Sequence, residues 1–141
     1  MTVQHLDHLN LTVTNLKESL DWYARVFGFR KVEEGDGDYG PWAIIRSGDA
    51  LLCLYEQPSR KRMDYDTRQS ERLHGINHFA LRIADRQAWE QVIAQENLEL
   101  LDDGGVEWPH SSAWYLNDPT GYCIEVSLWH DETIRFAPQH A

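Results

Sequence analysis

The order of predicted secondary-structure elements occurs twice in this chain, and this repetition restricts the fold more than any single motif does. The first copy is predicted as a strand at residues 9–13, a helix that begins after Asn15 and ends at Gly28, and strands at 29–32, 42–46 and 51–55. The second copy is predicted as a strand at 77–83, a helix between Asp85 and Asn97, and strands at 98–101, 113–116 and 122–128. Two units of the order β-α-β-β-β therefore follow one another.

Capping residues support both predicted helices. Asn15 is typical of a helix N-cap, Glu18 three residues later completes a capping box, and Gly28 is typical of a helix end. Asp85 is the equivalent N-cap in the second copy. Between the predicted strands of the first copy, the glycine-rich stretch 34–40 indicates a turn or a mobile loop.

The two units together predict an α+β fold. Each mixed four-stranded sheet would carry its helix on one face and leave the other face open. Two such open faces can form a cavity, with the sheets paired or swapped across a homodimer. The predicted boundaries are 1–56 for the first module, 57–73 for a charged linker, 74–130 for the second module and 131–141 for a polar tail.

The composition narrows the classes of partner. The formal net charge is −10 over 141 residues, which disfavours nucleic acid and anionic membranes, since clusters of Lys and Arg bind both. No apolar run approaches the roughly 20 residues of a membrane-spanning helix, and the first residues lack a signal-peptide pattern, so we expect a cytoplasmic protein. Cys53 and Cys123 are expected to be buried, reduced thiols. Six Trp and six Tyr favour an aromatic-lined pocket for a small molecule.

Three residues in strand-like segments have the chemistry of metal ligands. They are His8 in L-D-H-L-N-L-T-V, His78 in I-N-H-F-A-L-R-I and Glu125 in D-P-T-G-Y-C-I-E-V. Because side chains alternate along a strand, each would lie on the more polar face of its strand, away from the residues that pack under the helix. Two imidazoles and a carboxylate suit a divalent metal and leave coordination positions open for substrate or oxygen.

Each of these residues also has a purely structural interpretation. A single histidine at the start of a strand is more often a hydrogen-bonded structural residue than a metal ligand. Glu125 lies within an apolar run, where an unpaired carboxylate would be costly to bury. Arg82 is the cation that could pair with Glu125, and this pairing is the strongest structural alternative to a metal.

The same motifs resemble the vicinal oxygen chelate superfamily, which includes glyoxalase I, fosfomycin-resistance transferases, extradiol dioxygenases and bleomycin-binding proteins. L-D-H-L-N-L-T-V, followed by a helix that ends D-W-Y-A-R-V-F-G-F, is similar to the opening module of that superfamily. H-G-I-N-H-F-A-L-R-I and W-Y-L-N-D-P-T-G-Y-C-I-E-V are similar to the first and last strands of its second module. The resemblance covers nearly the whole chain, and D-P-x-G-x-x-x-E is its most specific element.

The resemblance implies a ligand set, a cofactor and an assembly. In the superfamily, the histidine that opens each module and the glutamate of the final strand bind one divalent metal, and here these residues are His8, His78 and Glu125. The metal would be nickel, zinc, manganese or iron, and it would chelate two neighbouring oxygens of a small substrate. A homodimer is also implied, in which strands of both subunits often build each site. Glyoxalase-like lyase or isomerase chemistry is therefore predicted.

The last strand of the first module departs from glyoxalase I, which usually adds a fourth ligand, a glutamate, from that strand. Alignment of the strands by their turns puts Cys53 at or near this position and Glu56 three residues later. Three protein ligands are therefore expected, and Glu56 is a candidate base if it reaches the cavity. The fosfomycin transferases share the three-ligand set, but the stretch 98–112 has no Lys or Arg to hold a phosphonate.

The extradiol dioxygenases are the first alternative, with Fe(II) as the metal. Their signature carries a tyrosine ahead of D-P-x-G-x-x-x-E, and Tyr115 occupies this position, although those enzymes are typically longer than this chain. Tyr115 is thus a candidate catalytic hydrogen-bond donor, and the candidate substrate-binding residues are Asn10, Arg46 and Arg82, with the arginines suited to an anionic group. The second alternative is a metal-free protein that sequesters a ligand, as bleomycin-binding relatives do.

Overall fold

The computed structural model describes residues 1–136. The chain forms two compact units, one built from Met1–Met63 with Pro119–Gly121 and the other from Asp64–Asp118 with the residues from Tyr122 onward. Residues 137–141, at the end of the predicted tail, lie outside the described part of the chain. Across residues 1–136, no helix has the length and apolar character needed to cross a membrane.

The first unit has the predicted β-α-β-β-β order. Its elements are β1 (Leu9–Val13), α1 (Leu16–Phe27), β2 (Arg30–Gly37), β3 (Gly40–Ser47) and β4 (Ala50–Glu56). The strands lie in the order β1-β4-β3-β2. The β1–β4 pair is parallel and the other two pairs are antiparallel, so this is a mixed sheet.

The second unit repeats this arrangement after a short additional helix. Its elements are α2 (Tyr65–Ser70), β5 (Phe79–Ile83), α3 (Arg86–Glu96), β6 (Leu100–Glu107), β7 (Ser111–Asn117) and β8 (Cys123–Trp129). The sheet order is β5-β8-β7-β6, and again only the first pair is parallel. The predicted α+β class, with two repeated modules, is confirmed.

The predicted helix caps are present in the structure. The Asn15 side chain accepts a hydrogen bond from the Glu18 backbone N–H at 2.9 Å, and Gly28 ends α1 in the left-handed region with φ of 65°. Asp85 caps α3 in the same way, and Asn97 ends it with φ of 49°. Side-chain oxygens of Asn and Asp satisfy N–H groups that the first turn of a helix leaves without a partner.

Alternation along the strands decides which side chains enter each core. The buried hydrophobic residues of the strands are Leu11, Val13, Ala43, Ile45, Leu52 and Leu54 in the first unit and Ala113, Trp114, Leu116, Ile124 and Val126 in the second. Tyr23 of α1 and Trp89 of α3 complete these cores from the helix side. The intervening Asn10 and Glu125 remain partly accessible, which confirms the two-faced pattern predicted for β1 and β8.

The glycine-rich stretch 34–40 is strand except for a turn at 38–39, so the predicted turn is present and a longer mobile loop is not. β2 continues through Gly37 and pairs with β3, and Gly35 stands opposite Trp42. A Cβ atom on Gly35 would lie only 2.6 Å from the Trp42 ring. The indole therefore occupies the space that a glycine leaves on the sheet surface, and this close approach explains a glycine within a strand.

Residues 102–105, which lie between two of the predicted strands, belong to one longer strand. β6 runs to Glu107, and its pairing with β7 shifts register between Leu101 and Val106. Asp102 and Asp103 there have φ near 55°, a left-handed conformation that Asp tolerates better than most residues. The turn-forming composition thus produces an irregularity in the strand.

A helix also forms within the stretch 57–73 that was predicted as a linker. The Asp64 side chain accepts a hydrogen bond from the Thr67 backbone N–H at 2.7 Å, which caps the start of α2. Arg68 of this helix is buried, and one of its guanidinium nitrogens donates to the carbonyl oxygen of Ile76 at 3.0 Å. The segment that leads to His78 is therefore packed against α2.

Candidate functional site

Glu125, in the middle of β8, receives polar contacts on both of its carboxylate oxygens. His78 Nε2 lies 2.9 Å from Glu125 Oε2, and Ser127 Oγ donates to Glu125 Oε1 at 2.8 Å. The Glu125 side chain is only 19% exposed, so these partners offset part of the cost of removing a carboxylate from water. The structure therefore brings together two of the three predicted metal ligands, His78 and Glu125.

Tyr115 stands beside this pair because β7 and β8 place it directly opposite Glu125. Its ring lies 5.6 Å from the His78 imidazole, edge to face. Burial, followed by the charge and a hydrogen bond of Glu125, raises the pKa of Tyr115, while a hydrogen bond with Trp108 acts in the opposite direction. The phenol therefore keeps its proton at neutral pH and remains a hydrogen-bond donor.

His8, the third predicted ligand, lies in the first unit, immediately before β1. Its Nδ1 is 2.6 Å from Asp7 Oδ1, and this contact lowers the pKa of Asp7, first through the hydrogen bond and then through charge. The contact leaves Nε2 of His8 as the ring nitrogen that could bind a metal.

The open face of the first sheet contains a cavity of about 280 Å³. Its lining residues are Asn10, Thr12, Tyr39, Tyr55, Gln57 and Arg60. Asn10, predicted as a substrate-binding residue, is thus part of a concave surface, and His8 directly precedes the same strand.

Cys53 is next to this cavity in the sheet, paired with Asn10 of β1. It is a free, half-buried thiol. Burial and the negative charge of Asp7 raise the pKa of Cys53, so the sulfur stays protonated at neutral pH.

Glu56, the candidate base, points toward helix α1. Its Oε2 accepts a hydrogen bond from the backbone N–H of Leu16, the first residue of α1, at 2.7 Å. Leu52 and Leu54 of the same strand are buried on that side of the sheet, and alternation gives Glu56 the same direction. Glu56 therefore stabilises a helix N-terminus on the face opposite to the cavity, and its role as a base stays a prediction.

The two arginines predicted to bind an anionic group are both engaged with backbone oxygens nearby. Arg46 Nε donates to the Gly48 carbonyl at 2.9 Å, and Arg82 Nη2 donates to the Glu132 carbonyl at 2.8 Å. Arg82 also stands across from Ser127 in the sheet rather than from Glu125. The pairing of Arg82 with Glu125, the structural alternative to a metal, is replaced by the contact of Glu125 with His78.

Two residues of this region were missed by the sequence analysis. Asp7 could have been found, since a carboxylate directly before a candidate histidine ligand is a recognisable pattern. Arg60 could not have been found from the sequence, because it belongs to a run of charged residues after β4 that is typical of a solvated segment. Only the fold places it beside Asn10 and Tyr55.

The contact between His78 and Glu125 fits a shared metal ion as well as a hydrogen bond. Two ligands about 2.1 Å from one ion stand about 3.0 Å apart in octahedral geometry and about 3.4 Å apart in tetrahedral geometry, and the observed separation of Nε2 and Oε2 is 2.9 Å. Within residues 1–136, no group of three or more His, Cys, Asp or Glu side chains is already arranged to hold a metal. The second unit therefore offers a two-ligand fragment with the donor chemistry that a divalent ion requires.

A comparison with protein families decides what kind of protein this is. A family model described as Glyoxalase/Bleomycin resistance protein/Dioxygenase superfamily matches residues 5–126, which cover most of both modules. The chain belongs to this superfamily. The match confirms the resemblance to the vicinal oxygen chelate proteins and agrees with the two repeated β-α-β-β-β units.

Curated relatives within the superfamily carry two different activities in their names. The chain is 29% identical over 122 residues to a catechol-2,3-dioxygenase of Bacillus subtilis (strain 168), a match that covers 86% of this chain and 40% of the relative. It is 26% identical over 121 residues to a lactoylglutathione lyase of Neisseria meningitidis serogroup A, covering 84% of this chain and 86% of the relative. The chain thus spans less than half the length of the dioxygenase and most of the length of the lyase.

A solved structure of the superfamily shows the same fold. The genomically encoded fosfomycin resistance protein FosX from Listeria monocytogenes, complexed with Mn(II) and a sulfate ion, superposes with a TM-score of 0.68 at 15% identity. The similarity covers 93% of this chain and 94% of that one.

Proposed function

We propose that this protein is a divalent-metal-dependent enzyme of the glyoxalase-like type, which chelates two neighbouring oxygens of a small substrate and catalyses a lyase or isomerase reaction. The observation that carries the proposal is the contact of His78 Nε2 with Glu125 Oε2, with Tyr115 beside it. His8 is the proposed third ligand, because it directly precedes β1 as His78 directly precedes β5. Nickel, zinc, manganese and iron all suit this ligand set.

The surrounding residues have distinct proposed roles. When bound, the metal would act as a Lewis acid toward the substrate oxygens. Asp7 and Ser127 orient His8 and Glu125 through the hydrogen bonds described above. The Tyr115 O–H donates to Glu125 in the metal-free site, and on substrate binding it is proposed to donate to a substrate oxygen instead.

The relatives support this proposal at the level of the superfamily. The lactoylglutathione lyase matches this chain over most of both lengths, and the FosX structure contains Mn(II). The protein is proposed to act on a small molecule as a cytoplasmic homodimer. The net charge of −10 supports a partner other than nucleic acid or an anionic membrane surface.

The first test is the metal content of the untagged protein, measured by mass spectrometry after loading with each ion and removal of the excess. We expect one metal ion per chain in the wild type and strong depletion in Glu125→Gln, which loses the ligand charge. Glu90→Gln, which removes an exposed carboxylate from α3, is the matched control and should retain the metal. Equal metal content in wild type and Glu125→Gln would contradict the proposed site. Absence of metal from the wild type would instead favour a metal-free, ligand-sequestering protein.

A second candidate function is ring cleavage by an Fe(II) dioxygenase of the extradiol type. It is favoured by the relative named catechol-2,3-dioxygenase and by the position of Tyr115 beside His78 and Glu125. Protein loaded with iron should then consume oxygen in the presence of catechol, and Tyr115→Phe should slow this reaction. Two results together would favour the lyase instead. The protein loaded with nickel or zinc would form lactoylglutathione, and the iron-loaded protein would not consume oxygen.

A further inference from the structure

The cavity of the first unit has one charged lining residue. Of the residues that line it, Asn10, Thr12, Tyr39, Tyr55 and Gln57 are neutral, and only Arg60 carries a formal charge. The chain has a net charge of −10, yet the wall of this cavity carries a cation and no carboxylate. A guanidinium in this position favours an anion, and its planar fork matches a carboxylate.

The guanidinium of Arg60 is available for such a ligand. Across residues 1–136, no ion pair or side-chain hydrogen bond engages it, whereas Arg46 and Arg82 are both bound to backbone carbonyls. Its backbone is fixed by a hydrogen bond from the Arg60 N–H to the Gln57 carbonyl at 3.1 Å. The side chain is thus carried by an ordered turn directly after β4.

The other walls favour a flat, apolar body. Tyr55 contributes an aromatic ring whose orientation is set by Trp42, since the two rings stack with centroids 6.2 Å apart and planes 24° from parallel. Tyr39 lies in the turn between β2 and β3. Its carbonyl oxygen accepts a hydrogen bond from the Gln57 side-chain amide. A volume of about 280 Å³ is at the lower end of small-molecule pockets, which are roughly 300 Å³ or more. It suits a single ring rather than a nucleotide or a peptide.

The cavity is also directed toward the proposed metal ligand of this unit. Asn10 and Thr12 line it and lie on the open face of β1. His8 directly precedes β1, two residues before Asn10, which is about 7 Å in an extended chain. A small molecule held between Arg60 and Asn10 would therefore extend toward His8.

We propose that this cavity is the substrate subsite for a small carboxylate built on a flat ring, with Arg60 binding the carboxylate and Tyr55 contacting the ring. Its assignment to the substrate rests on the proposed function, in which His8 binds the metal. The binding of a small carboxylate in this cavity does not depend on the proposed function, because every lining residue belongs to the first unit. The structure of the subsite assigns Arg60 as a residue that determines specificity for the charge of the substrate.

The test is calorimetric titration of the full-length protein with three probes: benzoate, benzyl alcohol and acetate. Benzyl alcohol keeps the ring without the negative charge, and acetate keeps the charge without the ring. We expect saturable binding of benzoate at least tenfold tighter than that of either other probe. Arg60→Gln should weaken the binding of benzoate at least tenfold without changing the affinity for benzyl alcohol. Arg60→Lys should restore part of the affinity for benzoate. Lys61→Gln removes the same charge from the neighbouring exposed residue and should leave all three affinities unchanged.

Three results would overturn the subsite. They are the absence of saturable benzoate binding to the wild type, equal affinities of wild type and Arg60→Gln for benzoate, and equal weakening by Lys61→Gln, which would indicate only a general effect of charge. Repeating the titration on Glu125→Gln separates this proposal from the metal site. Arg60-dependent binding that persists in Glu125→Gln supports the subsite even where the metal measurement contradicts the proposed function.

Discussion

At the scale of single residues, Glu125 combines burial with a complete set of polar partners. His78 and Ser127 occupy its two oxygens, and Tyr115 contributes a further hydrogen bond. A carboxylate satisfied in this way is stable without a metal and is also oriented for one, since the atom that faces His78 is the atom that would ligate. The same contacts would position His78 and Glu125 for the proposed metal.

This arrangement predicts the titration of Tyr115. Its pKa should lie above the ordinary value of 10.0, with burial as the main cause and Glu125 as the second. The difference in ultraviolet absorbance between wild type and Tyr115→Phe, followed as pH rises in the presence of a chelator, isolates this phenol. In Glu125→Gln the midpoint should fall toward 10.0 but stay above it, because burial remains. A midpoint unmoved by Glu125→Gln would contradict the contact.

The raised pKa also has a consequence for stability. The native state binds the Tyr115 proton more tightly than the unfolded chain does, so its contribution is complete below pH 10 and is lost as pH rises through the raised pKa. Urea unfolding of wild type and Tyr115→Phe should therefore differ more at neutral pH than above the raised pKa. An equal difference at all pH values would contradict this linkage.

The face of the sheet on which a side chain lies was predictable from the sequence, because the strand alone determines it. The partner of a long side chain was less predictable, because that partner can be distant in the sequence. The alternation that put Asn10 and Glu125 on open faces follows from backbone geometry and is confirmed. The partners of Arg46 and Arg82 were not predictable, because a long side chain can reach any carbonyl that the fold brings near it.

At the scale of elements, Glu56 links the end of β4 to the start of α1. The hydrogen bond from Leu16 N–H is made by a negatively charged acceptor at a helix N-terminus, where both the free N–H groups and the helix dipole favour it. We expect Glu56→Ala to lower the free energy of unfolding by about 1 kcal/mol and Glu56→Gln by less, since an amide oxygen still accepts the bond. Urea unfolding monitored by tryptophan fluorescence measures both.

The same variants distinguish a cap from a base. If Glu56 only caps α1, Glu56→Gln keeps the metal content and the turnover of the wild type once both are measured well below the unfolding midpoint. A loss of turnover by orders of magnitude with unchanged stability would instead restore the base assignment. Glu18→Gln, in the first turn of the same helix, is the control for removing negative charge near this N-terminus.

The elements themselves show which local signals are reliable. Caps such as Asn15 and Asp85 act within one turn of their own helix, so their sequence signature was sufficient. The length of β2 was not predictable, because Gly35 disfavours a strand locally and only the ring of Trp42 on the neighbouring strand compensates. Capping is a local property, whereas strand length depends on pairing.

At the scale of the whole molecule, the repeat distributes the proposed ligands unequally. One unit contains His8 and the other contains both His78 and Glu125, so a complete three-ligand site requires both modules. Those modules can come from one chain or from two. The homodimer that the resemblance implies, with strands of both subunits at each site, predicts that His8 of one subunit joins His78 and Glu125 of its partner.

Mixing of two defective variants tests this prediction. Each variant refolded by itself, His8→Ala or Glu125→Gln, should lack the metal. Unfolded together and refolded as a mixture, they should regain metal, because a mixed dimer contains one site with His8 from the Glu125→Gln chain and Glu125 from the His8→Ala chain. Random pairing makes half of the dimers mixed, each with one intact site of two, so recovery should reach about a quarter of the wild-type content. No recovery, in a mixture shown by mass spectrometry to contain mixed dimers, would mean that each site is built within a single chain.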